Sequence, residues 1–379
     1  MSNFLDFVLN YHERTKHHPY RFAPSLGYLD WDNQPNPFRH YVDAPVFPLL
    51  FPQEEQTPFY DSLYTPELIS IQPVTLETIS SFFFYSLALS AWKSTGDSRW
   101  ALRVNPSSGN LHPTEGYLLS HGIEGLQLTP ALYHYDPEKH RLECRANYSL
   151  PFWNQVLESF PPHTLLLGLT SIHWREVWKY GERGYRYCQH DLGHAIGALR
   201  FAAALHGWTF HVLANIADEP LEHLCGIDRQ DDFHPEEPES VGLLAAITPF
   251  ELPLPPLQKR GLKSEFEKTI WFGKANQLSH EHHFWDVIPQ IQQACRTSSV
   301  ASPLLRLRSV TEGEVRGGNS FQVSRDIPPL LKRGQGEFAG KIIRQRRSAV
   351  ELDGITSLKK DAFYEMLSRS YDVMFATKP

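Results

Sequence analysis

The stretch that decides the fold is residues 103–117, which read RVNPSSGNLHPTEGY. Within this run, Pro106 fixes the entry to a loop, and Pro113 closes the loop before a strand that carries tyrosine. Ser107 and Ser108 can donate to phosphate or ring oxygens. Gly109 permits close backbone approach, and Asn110 can both donate and accept at the edge of a ring. The set fits an anion or a heteroaromatic ring, and by composition alone it also fits an ordinary structural loop.

Helices and strands alternate outward from this run as far as residue 250. Residues 76–92 have a dense apolar face and predict a largely buried helix that ends before Gly96. A hairpin is predicted over 125–143, and strands are predicted at 116–120, 163–169, 209–213 and 241–247. The longest helix is predicted over 185–206, where Gly193 belongs to a small-residue surface that admits another backbone or a flat ring. Tight helix packing explains that surface equally well.

The chain divides into four predicted segments. Residues 1–60 start with a short apolar helix and continue as a proline- and aromatic-rich arm, and residues 61–250 form the main domain. Residues 251–338 hold two related heptapeptides, PPLQKRG and PPLLKRG, in a Ser-, Arg-, Gly- and Pro-rich context, which predicts a strand-free, low-complexity linker or insertion. Residues 339–379 regain helical patterning but are too few to sustain a core, so they must dock on the main domain or stay marginal.

Composition argues against several classes of function. The net charge of -7 over 379 residues gives no basic surface of the kind that nucleic acid requires. The four cysteines lie far apart without a CxxC pair, which argues against a zinc ribbon and a disulfide framework. The histidines of the SHEHHF run are followed by no carboxylate or thiol set at a recognisable spacing, so we predict no metal site. The sequence shows no signal peptide and no membrane span, and we expect a cytoplasmic protein.

The run at 103–117 resembles the phosphate- and ring-binding loop of FMN-dependent nitroreductases, specifically the SagB/ThcOx-type dehydrogenases. In that family an arginine precedes a Pro-Ser-rich loop, which is followed by a proline and a strand that carries tyrosine. The stretches SLALSAW at 86–92 and WKYGERGYRYCQHDLGHAIGALRFAAALHGW at 178–208 also resemble the family in content and order. The resemblance covers about residues 60–250. It implies an α+β, nitroreductase-like fold with a mixed sheet wrapped by helices, binding FMN between two similar halves.

The resemblance also implies which residues bind the cofactor. In the main domain they are Arg103, Pro106, Ser107, Ser108, Gly109, Asn110, His112 and Gly193. Near the C-terminus, Arg344, Arg346, Arg347 and Ser348 resemble the RRS-type opening of a second nitroreductase half, whose arginines and serine hold the FMN phosphate. The alternative is that these arginines form the basic start of a helix that binds no ligand. Because the sequence stops at Pro379, the second half is incomplete, and we expect a homodimer or a second chain to complete the flavin site.

Lys179 and Tyr180 are the candidate catalytic residues. A Lys-Tyr pair is implicated in proton removal in the azoline dehydrogenases that this chain resembles, and a lysine beside a phenol can act as a base with a relay. Against this role, Arg175, Arg183 and Arg186 lie close by in sequence, and such a run also fits a solvated basic face.

The resemblance therefore predicts an FMN-dependent oxidoreductase that uses ping-pong hydride transfer through flavin N5. NAD(P)H is the expected transient electron donor, and the substrate is a small molecule or a modified peptide. Two alternatives stay open. One is an azoline-type dehydrogenase that acts on a modified peptide, and the other is a flavin-binding protein without turnover.

Overall fold

The computed structural model describes residues 2–65, 68–158, 160–213, 216–249, 269–297 and 337–347, together with 359, 360, 362–364 and 366. Ser348 and most of the predicted linker over 251–338 lie outside the described residues. Among the described residues, no helix combines the length and apolar character that crossing a bilayer requires.

An antiparallel sheet forms the centre of the fold. The strands are β1 Tyr41–Val42, β2 Val46–Pro48, β3 Leu89–Thr95, β4 Ser98–Arg103, β5 Thr114–Ser120, β6 Ala131–Asp136, β7 Arg141–Asn147, β8 Leu165–Ile172, β9 Thr209–Val212, β10 Glu239–Thr248, β11 Ile270–Trp271 and β12 Lys274–Ala275. The main sheet runs β11-β7-β6-β5-β8-β10-β9, with β2 also paired to β7. Strands β5 and β8 are buried along their whole length, and the continuous apolar run at 163–169 predicts this burial for β8.

Helices cover this sheet. They are α1 Ser2–Thr15, α2 Leu76–Phe84, α3 Leu150–Leu157, α4 His173–Tyr180, α5 Gly184–Leu205, α6 Asp218–Cys225, α7 Val287–Cys295 and α8 Ala339–Gln345. Helix α2 begins with a capping box in which Thr75 and Thr78 satisfy each other's backbone N–H. The long helix α5 packs on α2 and on the sheet. The α+β class predicted from the sequence is confirmed.

Three details differ from the sequence-based expectation. Helix α2 ends at Phe84 instead of residue 92, because Gly96 and Asp97 form a two-residue turn that pairs β3 with β4. The predicted strand-free linker is wrong for residues 269–297, which contain β11, β12 and α7; β11 pairs with β7 at one end of the main sheet. The pairings of the described strands are antiparallel, whereas the resemblance implied a mixed sheet. The predicted division into segments stays a prediction.

The C-terminal helix α8 docks on the main domain. Phe338 stacks on Phe59 with 5.2 Å between ring centroids, and Ala339 is fully buried. The Gly340 N–H donates to Thr57 Oγ1 at 2.9 Å. These contacts bring the arginines at the end of α8 to the β3–β4 hairpin and thereby build one side of a cleft.

Candidate functional site

A cleft of about 290 Å³ lies where residues 103–110 meet the end of α8. Its lining consists of Ser90, Lys93, Leu102, Arg103, Asn105, Pro106, Ser107, Asn110, Arg346 and Arg347. Four of these lining residues are basic, and none of the described lining residues is acidic. Such a lining attracts an anion, because cations around a concave site concentrate positive potential.

The loop between Pro106 and Pro113 is held by hydrogen bonds to its own chain and to α5. Ser107 Oγ accepts from the His112 N–H at 2.8 Å, which leaves its hydroxyl hydrogen available. The Ser108 N–H and hydroxyl both donate to the Asp191 carboxylate, at 3.0–3.1 Å. Gly109 and Asn110 adopt left-handed φ values of 61° and 57°, so the backbone turns tightly here. The predicted ligand Ser108 is thus already committed to α5.

Arg103 and His112 are buried behind the loop. The Arg103 guanidinium donates to Thr114 O at 3.0 Å and to Pro37 O at 2.9 Å, and its Nε has no hydrogen-bond partner among the described residues. Burial lowers the pKa of Arg103 to about 10. Burial, followed by the Arg103 charge, also holds the pKa of His112 well below its ordinary value, so this ring is neutral. Much of the hydrogen-bonding capacity of Arg103 therefore supports the protein itself.

Two of the predicted C-terminal arginines reach the cleft. Arg346 donates through Nη2 to Val104 O at 3.2 Å, and both Arg346 and Arg347 line the cavity. Arg344 instead places its Cζ 4.0 Å from the centroid of the Phe84 ring and does not belong to the lining. Ser348 lies outside the described residues.

Lys179 and Tyr180 approach the same loop at Gly109. A Cβ added to Gly109 would lie 2.7 Å from Tyr180 Oη and 3.0 Å from Lys179 Nζ. Glycine is therefore the residue that lets the loop and the pair come this close. Burial raises the pKa of Tyr180 above its ordinary value, and the neighbouring acids reinforce the rise, so the phenol keeps its proton. The pair touches the loop without lining the cleft itself.

Gly193 lies on an exposed part of α5. A Cβ added there would have no atom within 4 Å among the described residues. Gly193 does not belong to the cleft lining, and its predicted contact with a cofactor or a second chain stays a prediction.

Comparison with known proteins gives one curated relative. A protein of Methanocaldococcus jannaschii, provisionally named a nitroreductase, is 26% identical over 128 residues, which are 32% of this chain and 59% of that protein. About a third of this chain is thus similar in sequence to that protein. The match spans less than two thirds of the relative's length. No protein-family model matches the chain.

Two solved structures also resemble this chain. A provisionally named nitroreductase from Anabaena variabilis aligns over 64% of this chain and 46% of its own, at 26% identity and a TM-score of 0.48. The E. coli microcin synthetase McbBCD complex with truncated pro-MccB17 bound aligns over 63% of this chain and 81% of its own, at 18% identity and a TM-score of 0.37. At these TM-scores the superpositions alone do not establish a shared fold.

Sequence reasoning missed several residues of the cleft. Ser90 and Lys93 line the cleft from β3, whose first four residues, 89–92, were predicted as the end of a helix. The Gly96-Asp97 pair is a two-residue turn of the kind that joins the strands of a hairpin. Recognising this turn would have placed Ser90 and Lys93 on a strand. Asn105 also lines the cleft, and its buried Oδ1 has no hydrogen-bond partner among the described residues.

A second polar cluster gathers His234, Glu237 and His282. Their candidate ligand atoms lie within 4.8 Å of one another. Glu237 already accepts hydrogen bonds from the backbone N–H groups of Leu278 and Ser279, and His282 Nε2 lies 2.9 Å from the same carboxylate. The carboxylate is thus satisfied by the protein. The cluster fastens the 278–282 segment to the end of the sheet.

Proposed function

We propose that this chain is an FMN-dependent oxidoreductase of the nitroreductase type and that the cleft holds the FMN phosphate. The observation that carries the proposal is the meeting of the 103–110 loop with Arg346 and Arg347 in one basic cavity. The sequence similarity to a nitroreductase supports the same reading.

The residues of the cleft fit a phosphate group. Lys93, Arg346 and Arg347 supply positive charge, and guanidinium groups match the geometry of phosphate oxygens. Ser107 retains a free hydroxyl hydrogen, because its oxygen accepts from the backbone. The unpartnered Asn105 Oδ1 gives a further polar atom that a ligand donor could satisfy.

Bound FMN would supply hydride transfer through N5, with NAD(P)H as the transient donor in a ping-pong cycle. The chain's own residues then have two tasks. The basic cleft binds and orients the phosphate, and Lys179 Nζ with Tyr180 Oη hold or move a proton beside Gly109.

Flavin binding by variants of the full chain tests the cleft. Removing a charge-assisted hydrogen bond costs about 1.5–3 kcal/mol, so Arg346→Ala should weaken FMN binding by roughly ten- to a hundredfold. Riboflavin lacks the phosphate and should bind the variant and the wild type equally. Arg99→Ala is the matched control, because Arg99 is exposed on the same hairpin and lies over the Trp92 ring. Equal losses in both variants, or a chain that binds no added FMN, would overturn the proposal.

Turnover separates the leading function from its alternatives. If NAD(P)H bleaches the bound flavin under anaerobic conditions, the chain is an oxidoreductase of the proposed kind. The Lys179-Tyr180 pair favours a second candidate, an azoline-type dehydrogenase that acts on a modified peptide. Bleaching by an azoline-bearing peptide, lost in Lys179→Ala, would support it. A yellow protein that neither donor reduces would be a flavin-binding protein without turnover.

We further propose that a homodimer or a second chain completes the flavin site. The exposed Gly193 face of α5, where a flat group could lie without a clash, supports this part of the proposal.

A further inference from the structure

Behind Lys179 and Tyr180 lies a carboxyl group that the proposed function does not use. Glu176 is fully buried on α4, and neither of its oxygens has a hydrogen-bond partner among the described residues. Lys179 and Tyr180 follow it by three and four positions, so all three side chains lie on one face of α4. A buried carboxyl group without partners is costly unless it is neutral or finds a donor.

Asp191 lies on α5, which packs against α4, and is the group with which Glu176 can form a side-chain hydrogen bond. Asp191 is fully buried, and its carboxylate accepts the N–H and the hydroxyl of Ser108. Two ionised carboxylates have no hydrogen to share, so the contact between Glu176 and Asp191 becomes a hydrogen bond only when one of them carries a proton. Burial and the Asp191 charge raise the pKa of Glu176 well above its ordinary value, which places the proton there.

Among the described residues, the other charged and titratable groups around Glu176 are Lys179, Tyr180 and Arg175 on its own helix and Cys188 on α5. On the Asp191 side, His194 Nδ1 lies 3.7 Å from the Asp191 carboxylate. The two cations lower the pKa of Glu176, but they do not outweigh burial and the Asp191 charge. Burial raises the pKa of the Cys188 thiol, so this group stays neutral.

We infer that Glu176 is a positioning residue that shares one proton with Asp191 and so ties α4 to the loop at Ser108. The hydrogen bond between Glu176 and Asp191 would complete a series of contacts that leads from α4 to the loop and back to α4. Asp191 holds Ser108, and the next residue, Gly109, abuts Lys179 and Tyr180. Losing the proton would place two negative charges together and push α4 away from the loop. The functional meaning of this tie rests on the proposed role of Lys179 and Tyr180, whereas the shared proton does not.

Stability against pH tests the shared proton without flavin or substrate. The folded chain binds this proton more tightly than the unfolded chain, whose glutamate titrates near the ordinary pKa of 4.5. The stabilisation is therefore complete below pH 4.5 and is lost as pH rises through the folded pKa. Glu176→Gln cannot ionise, so its Tm should exceed that of the wild type increasingly as pH rises above 4.5. Glu158→Gln, at an exposed position, should follow the wild-type curve.

Hydrogen exchange of the loop amides tests the positioning. Glu176→Gln keeps a donor toward Asp191 and should leave exchange at residues 108–110 unchanged, whereas Glu176→Ala removes the donor and should accelerate it. In the active protein, the wild-type pH profile should have a falling limb that Glu176→Gln lacks. A Tm difference that is independent of pH would overturn the shared proton, and equal exchange in the Gln and Ala variants would overturn the tie. Failure of flavin binding alone would instead count against the proposed function.

Discussion

Gly109 is the residue at which the binding loop and the Lys179-Tyr180 pair meet. Its left-handed φ of 61° and the nearby Oη and Nζ atoms both exclude a side chain. From the sequence, Gly109 was predicted to let the backbone approach a ligand closely. The structure adds that the neighbouring groups belong to the protein, which only tertiary structure could reveal.

Substituting Gly109 should therefore destabilise the fold by more than the strain of its left-handed backbone conformation alone. Gly96→Ala is a matched control, because Gly96 has a similar φ of 54° and nothing within 4 Å of an added Cβ. We expect about 1–2 kcal/mol of destabilisation for the control, and about 1–3 kcal/mol more for Gly109→Ala from overpacking. Displacement of the pair should also lower turnover by on the order of a hundredfold in Gly109→Ala only. Thermal unfolding and steady-state rates measure both effects, and indistinguishable variants would contradict the close contact.

At the scale of elements, strands β5, β6 and β7 are joined by a buried ionic cluster. His134 on β6 lies between two carboxylates, with Nε2 3.0 Å from Glu115 and Nδ1 3.1 Å from Glu143. Because each ring nitrogen faces a carboxylate, both must carry hydrogen, and the ring is an imidazolium. Burial lowers the pKa of His134, but the hydrogen bonds to the two glutamates outweigh it and raise the pKa to about 9.

The stability of the sheet should consequently fall at alkaline pH. A group whose pKa is raised on folding stabilises fully below its ordinary pKa, here 6.5, and this stabilisation is lost as pH rises through about 9. Wild-type Tm should decrease across that window, and His134→Gln should have a lower Tm at pH 6.5 and a flatter slope. His18→Gln, on the surface, should retain the wild-type slope. A wild-type Tm that stays constant between these pH values would refute the imidazolium assignment.

Element prediction succeeded where apolar runs were continuous and failed where turn chemistry decided. The continuous apolar run at 163–169 predicted β8, and the patterns at 116–120 and 185–206 predicted β5 and α5. Residues 89–95 carry enough apolar side chains to extend a helix, and only pairing with β4 makes them a strand. Ser90 was missed for the same reason, because it lay inside the predicted helix, and Lys93 was missed because the hairpin that carries it was not recognised.

At the scale of the whole molecule, α8 attaches the C-terminal segment to the main domain. Sequence patterning predicted that this segment must dock or stay marginal, and the structure docks it beside Thr57, Phe59 and Tyr85. Sequence could not predict the place, because docking depends on the shape of a surface assembled from distant residues. Resemblance did predict that arginines near residue 346 and the 103–117 loop serve one ligand, and the structure brings both to one cleft.

Undocking α8 should abolish the basic cleft while the sheet persists. A Cβ at Gly340 would lie 2.8 Å from three atoms of Tyr85, so Gly340→Leu should destabilise docking by about 1–3 kcal/mol. We expect FMN affinity to fall as in Arg346→Ala, with the far-ultraviolet circular dichroism nearly unchanged. Lys341→Ala removes an exposed neighbour that pairs with Glu337 and should leave FMN affinity intact. Full FMN affinity in Gly340→Leu would show that the cleft does not depend on this docking.

The hydrogen bond from Arg346 to Val104 spans 242 positions of sequence. During synthesis, residues 103–110 are therefore made long before Arg346, and the cleft can form only after both segments have been synthesised. Until Arg346 and Arg347 have been synthesised, the loop lacks these two basic lining residues. Lys93 and Arg103 belong to the segment made first, and Arg346 and Arg347 to the segment made last, so the cleft acquires its full set of basic side chains only after both segments are made.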